Sequence, residues 1–243
     1  MSDYQSQTRA IPGSADMAVD AGLRSFMLGV YNKMGLGLLL SGLLAWVVGT
    51  TPALFTTLLT PPLAYAVMFG PVAILLITSF TMRNPSPTAA NAVYWSVVTL
   101  IGVGMGAIVF AYGRIPDGMI TVAKAFLITS ASFGALSLWG YTTKRDLTGF
   151  GVFLFMGVVG LVIAMIVNMF IQSSALSFAI SVIGVLVFAG LTAFDTQRLK
   201  YMYYQLSGNV RAMSVATTYG ALSLYLDFIN MFMFILRLLS PRN

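Results

Sequence analysis

Asp195 and Asp227 are the residues of this chain best placed to do chemistry. Both lie deep in long apolar runs close to the C-terminus. The two runs are joined near Gly208-Asn209, and positions 195 and 227 are equidistant from residue 211, inside that connection. In a helical hairpin, residues equidistant from the turn lie at similar depth. Allowing for half the turn, each aspartate sits about 11 helical residues, or roughly 17 Å, from the connection at 1.5 Å per residue. That depth is near the middle of a hydrocarbon layer about 30 Å thick. Polar neighbours repeat the pattern. Thr192, Asp195 and Arg198 share one helical face, and Ser223, Asp227 and Asn230 share another. Two polar stripes on apolar helices should face each other or a wet cavity, not lipid.

Two carboxyl groups held that close share a proton at low pH. At higher pH both ionise, repel each other and favour a cation between them. Hard oxygen ligands suit Ca²⁺, so Asp195 and Asp227 are the candidate metal-binding and pH-sensing pair. Arg198, Thr192, Ser223 and Asn230 are its supporting residues. Two other readings stay open at this point. In one, Asp195 pairs with Arg198 and Asp227 bonds Asn230 or the backbone, as polar glue between helices. In the other, the aspartates are a proteolytic pair. The second lacks a substrate-entry or water-activating motif, so no catalytic residues are assigned and no enzyme is expected.

The other residue types narrow the field. Cysteine, histidine and glutamate are absent, and the seven acids are all aspartates. Disulfides, thiolate chemistry, serine–histidine catalysis and histidine metal sites are therefore excluded. No bound cofactor is expected; Ca²⁺ would be a permeating or transiently held ion. The formal charge of +6 comes from 13 basic and 7 acidic residues. The basic residues are scattered over short loops and form no patch, so nucleic acid is not expected as a partner.

The elements that must carry this pair follow from composition. Of the 243 residues, 58% are hydrophobic and 8% charged, and the mean hydropathy is +0.88. Soluble domains are near 25% charged. The chain is therefore expected to lie in a lipid bilayer, its main partner. Residues 1–25 are polar, without a signal-peptide core, and read as a cytoplasmic tail. Seven apolar runs follow, at roughly 27–49, 61–82, 91–113, 118–141, 148–171, 175–204 and 216–239. They are too long and continuous for barrel strands. The expected fold is an all-α integral membrane bundle of seven helices over residues 26–240, with 241–243 as a C-terminal tail.

Lys and Arg near the run ends number eight on the N-terminal side, from Arg9 to Arg211, and three on the other: Arg114, Arg237 and Arg242. The excess places the N-terminus in the cytoplasm. Seven spans then put the C-terminus outside; a re-entrant seventh run would return it inside. Lys33 and Lys124 lie near run ends and are expected to snorkel to an interface. Gly102 and Gly106 form a GxxxG pair that reads as close helix packing.

Three segments resemble a known family. The run from Ala221 to Phe232, with Leu226-Asp227-Phe228-Ile229-Asn230 at its centre, looks like the signature of the Bax inhibitor family, also called the transmembrane Bax inhibitor motif family. Gly190–Lys200, around Asp195-Thr196-Gln197, is similar to its sixth-helix motif. Thr143-Lys144-Arg145-Asp146-Leu147 followed by Phe153-Leu154-Phe155-Met156-Gly157 resembles its bacterial branch. The resemblance covers about residues 20–240. It implies a seventh helix enclosed by the other six, and a pH-sensitive Ca²⁺ leak controlled by aspartates at positions 195 and 227. It also implies an arginine latch at the end of the second helix, for which Arg83 is the nearest residue. The acidic residue that some members carry in that helix is missing here, where Gly70-Pro71 stands. Another bacterial branch implies a membrane-anchored AAA protease as partner, with the chain acting as its regulator or in a stress response. A bacterial inner-membrane location follows from the same likeness.

Overall fold

A computed structural model describes residues 21–82, 84–206 and 208–240. These residues form eight α-helices: α1 (Ala21–Thr50), α2 (Pro52–Leu58), α3 (Leu63–Thr81), α4 (Pro87–Tyr112), α5 (Gly118–Thr142), α6 (Thr148–Ile171), α7 (Ser174–Leu206) and α8 (Val210–Leu239). All but α2 are long and apolar enough to cross a membrane. A bilayer has no water to satisfy open backbone groups, so such runs close their hydrogen bonds within each helix.

Local chemistry marks the ends. Ser86 caps α4 by accepting from Ala89 N at 3.1 Å, with Pro87 in the first turn. Asn209 caps α8 by accepting from Ala212 N at 2.9 Å. Gly208, at φ 94°, supplies the left-handed turn between α7 and α8. That cap starts α8 at Val210, six residues before the apolar run begins. Likewise α1 starts at Ala21, within the stretch read as tail. The short α2 was not expected; its seven residues begin at Pro52, in the gap between the first two apolar runs.

α8 is the centre of the bundle. Of its most apolar stretch 61% is buried, against 11% for α3. It packs against α7, α1, α5 and α4. As one unbroken helix of 30 residues, about 45 Å long at 1.5 Å per residue, α8 crosses and does not re-enter. α1 and α4 also pack closely, and there the expected glycine packing is present. A methyl at Gly102 would lie 2.7 Å from Ser41 Cα, and one at Gly49 would lie 2.7 Å from Gly106 O. By contrast α3 buries only Val67 and Pro71.

Candidate functional site: the aspartate cavity

α7 and α8 pack antiparallel, and their cross-helix pairs fix the register. Leu199 lies over Gly220, Arg198 meets Ser223, and Phe188 stacks on Phe234 with centroids 6.0 Å apart. All three pairs are centred on the Gly208–Arg211 connection, as the aspartates are. The helix ends are not symmetric about it. Asp195 is eleven residues from the end of α7, whereas Asp227 is seventeen from the start of α8. α8 therefore begins more than a turn farther from the bundle centre than α7 ends, and this offset keeps the two aspartates level.

Both aspartates are buried, each 6% exposed, and both line one cavity of about 660 Å³. Arg198, Ser223 and Asn230 line it too. Thr192 does not: it is fully buried, and its hydroxyl donates to Phe188 O at 2.8 Å within its own helix. Steps of three residues rotate each successive side chain around a helix of 3.6 residues per turn, so Thr192 leaves the face that Asp195 and Arg198 share. The facing walls are α3, which presents Val72, Leu75 and Leu76 and no acid, and α6, which presents Phe155, Val158 and Leu161.

The polar contacts are uneven. Arg198 Nη1 ion-pairs with Asp195 Oδ1 at 3.4 Å, and its Nη2 donates to Ser223 Oγ at 3.1 Å. One guanidinium thus ties α7 to α8. Asn230 donates to Leu226 O at 2.8 Å, inside its own helix, and not to Asp227. Asp227 Oδ2 is buried and makes no hydrogen bond among the described residues. The glue reading therefore holds for Asp195 and fails for the Asp227 carboxylate. A buried carboxylate oxygen without a donor is costly and needs a proton or a cation.

Arg198 also stands where three cavities meet. Besides the aspartate cavity it lines a second, of about 540 Å³, with Thr78, Ser79 and Tyr219. A third, of about 630 Å³, is lined by Arg198, Asp146, Thr148, Gln197 and Gln205. With 44% of its side chain exposed, Arg198 stands between the buried carboxylates and two more polar openings. At the third opening Thr148 hydrogen-bonds Asp146, with Thr148 N donating to Oδ1 at 2.9 Å, and this holds the carboxyl below the usual carboxylate range. Gln197 fastens the same loop to α7 by accepting from Leu147 N and donating to Arg145 O. Arg83, the sequence candidate for a latch, lies outside the described residues.

Lys33 takes a role that its position near a span end did not suggest. Its Nζ donates to Asn91 Oδ1 at 2.5 Å and Thr218 Oγ1 at 2.7 Å, while Tyr94 OH donates to Lys33 O at 2.7 Å. It therefore joins α1, α4 and α8 inside the bundle. Asn91 was the available sequence signal, an amide in an apolar run. Lys124 is exposed.

Six membrane-crossing helices around a seventh, α8, with a carboxylate-lined cavity among them, define a polytopic membrane protein. Among the described residues no cluster of three or more metal-ligating acids occurs. A family model described as "Inhibitor of apoptosis-promoting Bax1" matches residues 23–243. The chain belongs to the Bax inhibitor family. It is 51% identical to an uncharacterized Caulobacter vibrioides protein over 97% of both chains. It is 39% identical to an uncharacterized Rickettsia prowazekii protein over 95% of both. It is 38% identical to the inner membrane protein YbhL of Escherichia coli, over 92% of this chain and 94% of that one.

Proposed function

We propose that the protein is a pH-gated cation leak of the bacterial inner membrane, with Ca²⁺ as its cargo and the Asp195–Asp227 pair as its gate. The observation that carries this reading is that both buried carboxylates line one cavity, with Arg198 and its contact to Ser223 standing between them and two more polar openings. Arg198 is the cation that holds Asp195 while the path is shut. Two ionised carboxylates, with the Ser223 and Asn230 oxygens close by, form a hard-oxygen set suited to Ca²⁺. Ca²⁺ takes six to eight oxygens, so this set supports passage with water and not tight residence. At low pH a shared proton and Arg198 neutralise the pair, and the leak is small. At higher pH both carboxylates ionise, a divalent cation competes with Arg198, and the leak rises.

The orientation belongs to the same proposal. Arg24, Lys144, Arg145, Lys200 and Arg211 gather at one end of the bundle, and Arg114 and Arg237 at the other. The positive-inside rule puts the first end in the cytoplasm, so Arg198 faces that side.

The apolar α3 wall supports a second reading, in which the chain does not conduct and instead regulates a membrane-anchored AAA protease or a stress response. Calcium uptake into proteoliposomes containing only this protein, measured at pH 6 and pH 8, separates the two. A leak larger at pH 8 supports conduction; protein-free rates at both pH values refute it.

A further inference from the structure

α1 and α5 face each other along their length without packing closely. The space between them holds two lobes. One, of about 620 Å³, lies between Arg24, Leu28 and Tyr31 of α1 and Gly134, Ser137 and Leu138 of α5. The other, of about 290 Å³, lies between Leu38, Gly42 and Trp46 of α1 and Val122 and Phe126 of α5, with α4 and α8 forming its inner side. The lining residues recur at three- and four-residue spacings on both helices, in antiparallel order, so the two lobes lie end to end along one crevice between α1 and α5. Phe228 of α8, stacked edge-on with Phe126 and Phe133 at 5.6 Å each, narrows its middle. Leu28, Phe126 and Leu138 on its walls are 51%, 45% and 64% exposed, so it opens sideways to the bilayer.

Two polar features mark one end. Ser137, 6% exposed, lines the larger lobe, and its Oγ is buried and makes no hydrogen bond among the described residues. Arg24, at the mouth of that lobe, forms no ion pair with the described residues. From Arg24 to Leu38 is about 21 Å along the helix, more than half of a hydrocarbon layer about 30 Å thick. A charged mouth, an unpaired hydroxyl below it and an apolar slot beyond match the order of groups in a phospholipid: phosphate, ester and chain. A transmembrane helix does not fit, since one about 10 Å across and 20 Å long occupies on the order of 1,500 Å³.

We propose that the crevice between α1 and α5 is a binding site for one anionic phospholipid, taken from the leaflet at the end where α1 begins. Arg24 binds the phosphate, Ser137 donates to an ester oxygen, and an acyl chain runs past Gly134 toward Gly42. The site is separate from the aspartate cavity and does not depend on the leak.

Gly134 gives the test. A Cβ there meets nothing within 4 Å, and the same holds for Gly160 on α6, which lines neither lobe. Protein purified in mild detergent is mixed with phosphatidylglycerol carrying 16-carbon chains, and native mass spectrometry counts the lipid retained. Wild type and Gly160→Leu should each hold about one lipid per chain. Gly134→Leu should lower retention at least tenfold, and Arg24→Gln, which leaves the helices intact, should weaken it several-fold. Thermal melting confirms that each variant is folded. Equal retention in Gly134→Leu and Gly160→Leu overturns the proposal, as does retention unchanged by Arg24→Gln. So does a second polypeptide held by wild type and lost from Gly134→Leu, which would make the crevice a protein site.

Discussion

Arg198 on α7 donates to Ser223 on α8 at 3.1 Å while ion-pairing with Asp195, one turn away, at 3.4 Å. The same side chain thus restrains the helix hairpin and neutralises one of its two buried carboxylates. The other, Asp227, keeps an oxygen without a donor among the described residues. In the leak reading this asymmetry is the closed gate.

Replacing Arg198 with Gln removes the resident cation and keeps a hydrogen-bonding side chain. Leak at pH 6 should rise several-fold toward the pH 8 rate. Arg198→Lys should fall between, because an ammonium lacks the planar fork that reaches Asp195 and Ser223 together. In an Asp195→Asn background the Arg198→Gln increase should vanish, since the partner is gone. Flux in single-protein proteoliposomes checks all three; an equal increase with and without Asp195 would assign Arg198 to packing only.

Asp146 should not contribute to the pH response, although it lines a cavity that Arg198 also lines. Its carboxyl is held below the usual range by Thr148. The stability it lends the α5–α6 loop is therefore present above the ordinary aspartate value. It is lost only as pH falls through the lowered one, below about pH 4. Asp146→Asn should keep the wild-type ratio of leak at pH 8 to leak at pH 6. A flattened ratio would move the sensor out of the membrane.

The seven spans, their order and the depth match of the two aspartates were legible from apolar run length and from positions about the Gly208-Asn209 turn. Thr192 was misplaced because a three-residue spacing drifts around the helix, and sequence does not say which residue of the stripe is centred on the cavity. The start of α8 was missed because the Asn209 cap extends the helix through Arg211 and Ser214, residues that end an apolar run without ending a helix. Lys33 looked like an interfacial lysine because its acceptors, Asn91 and Thr218, lie on helices distant in sequence. The Arg198–Ser223 contact was likewise a matter of rotamer and register, although both residues stood on the expected stripes.

Lys33 should matter for stability. Lys33→Met removes the donor to half-buried Asn91 Oδ1 and to Thr218 Oγ1, which keeps its own bond to Ser214 O, and the loss should cost about 1–3 kcal/mol in all. The melting temperature in detergent should drop by about 5 °C or more. Lys124→Met, at an exposed position, should melt like wild type. Equal melting of the two variants would show that the Lys33 contacts add nothing.

Gly140 marks the tightest approach between α5 and α7. A methyl there would lie 2.3 Å from Ala193 O, a backbone atom two residues from Asp195. Gly140→Ala should destabilise the protein by about 1–3 kcal/mol, as overpacking does. Gly160→Ala, with open space at the same point, should be neutral or slightly stabilising. Thermal melts of the two, side by side, test the packing.

The central claim is that Asp195 and Asp227 together set the pH dependence of a cation leak. The most direct measurement is Ca²⁺ entry into proteoliposomes bearing the Asp195→Asn, Asp227→Asn double variant, at pH 6 and pH 8, beside wild type at equal protein density. Asn keeps the size of each side chain and removes the titratable charge. Wild type should leak several-fold faster at pH 8 than at pH 6, and the double variant should give the same low rate at both. A double variant that keeps the wild-type ratio would contradict the account.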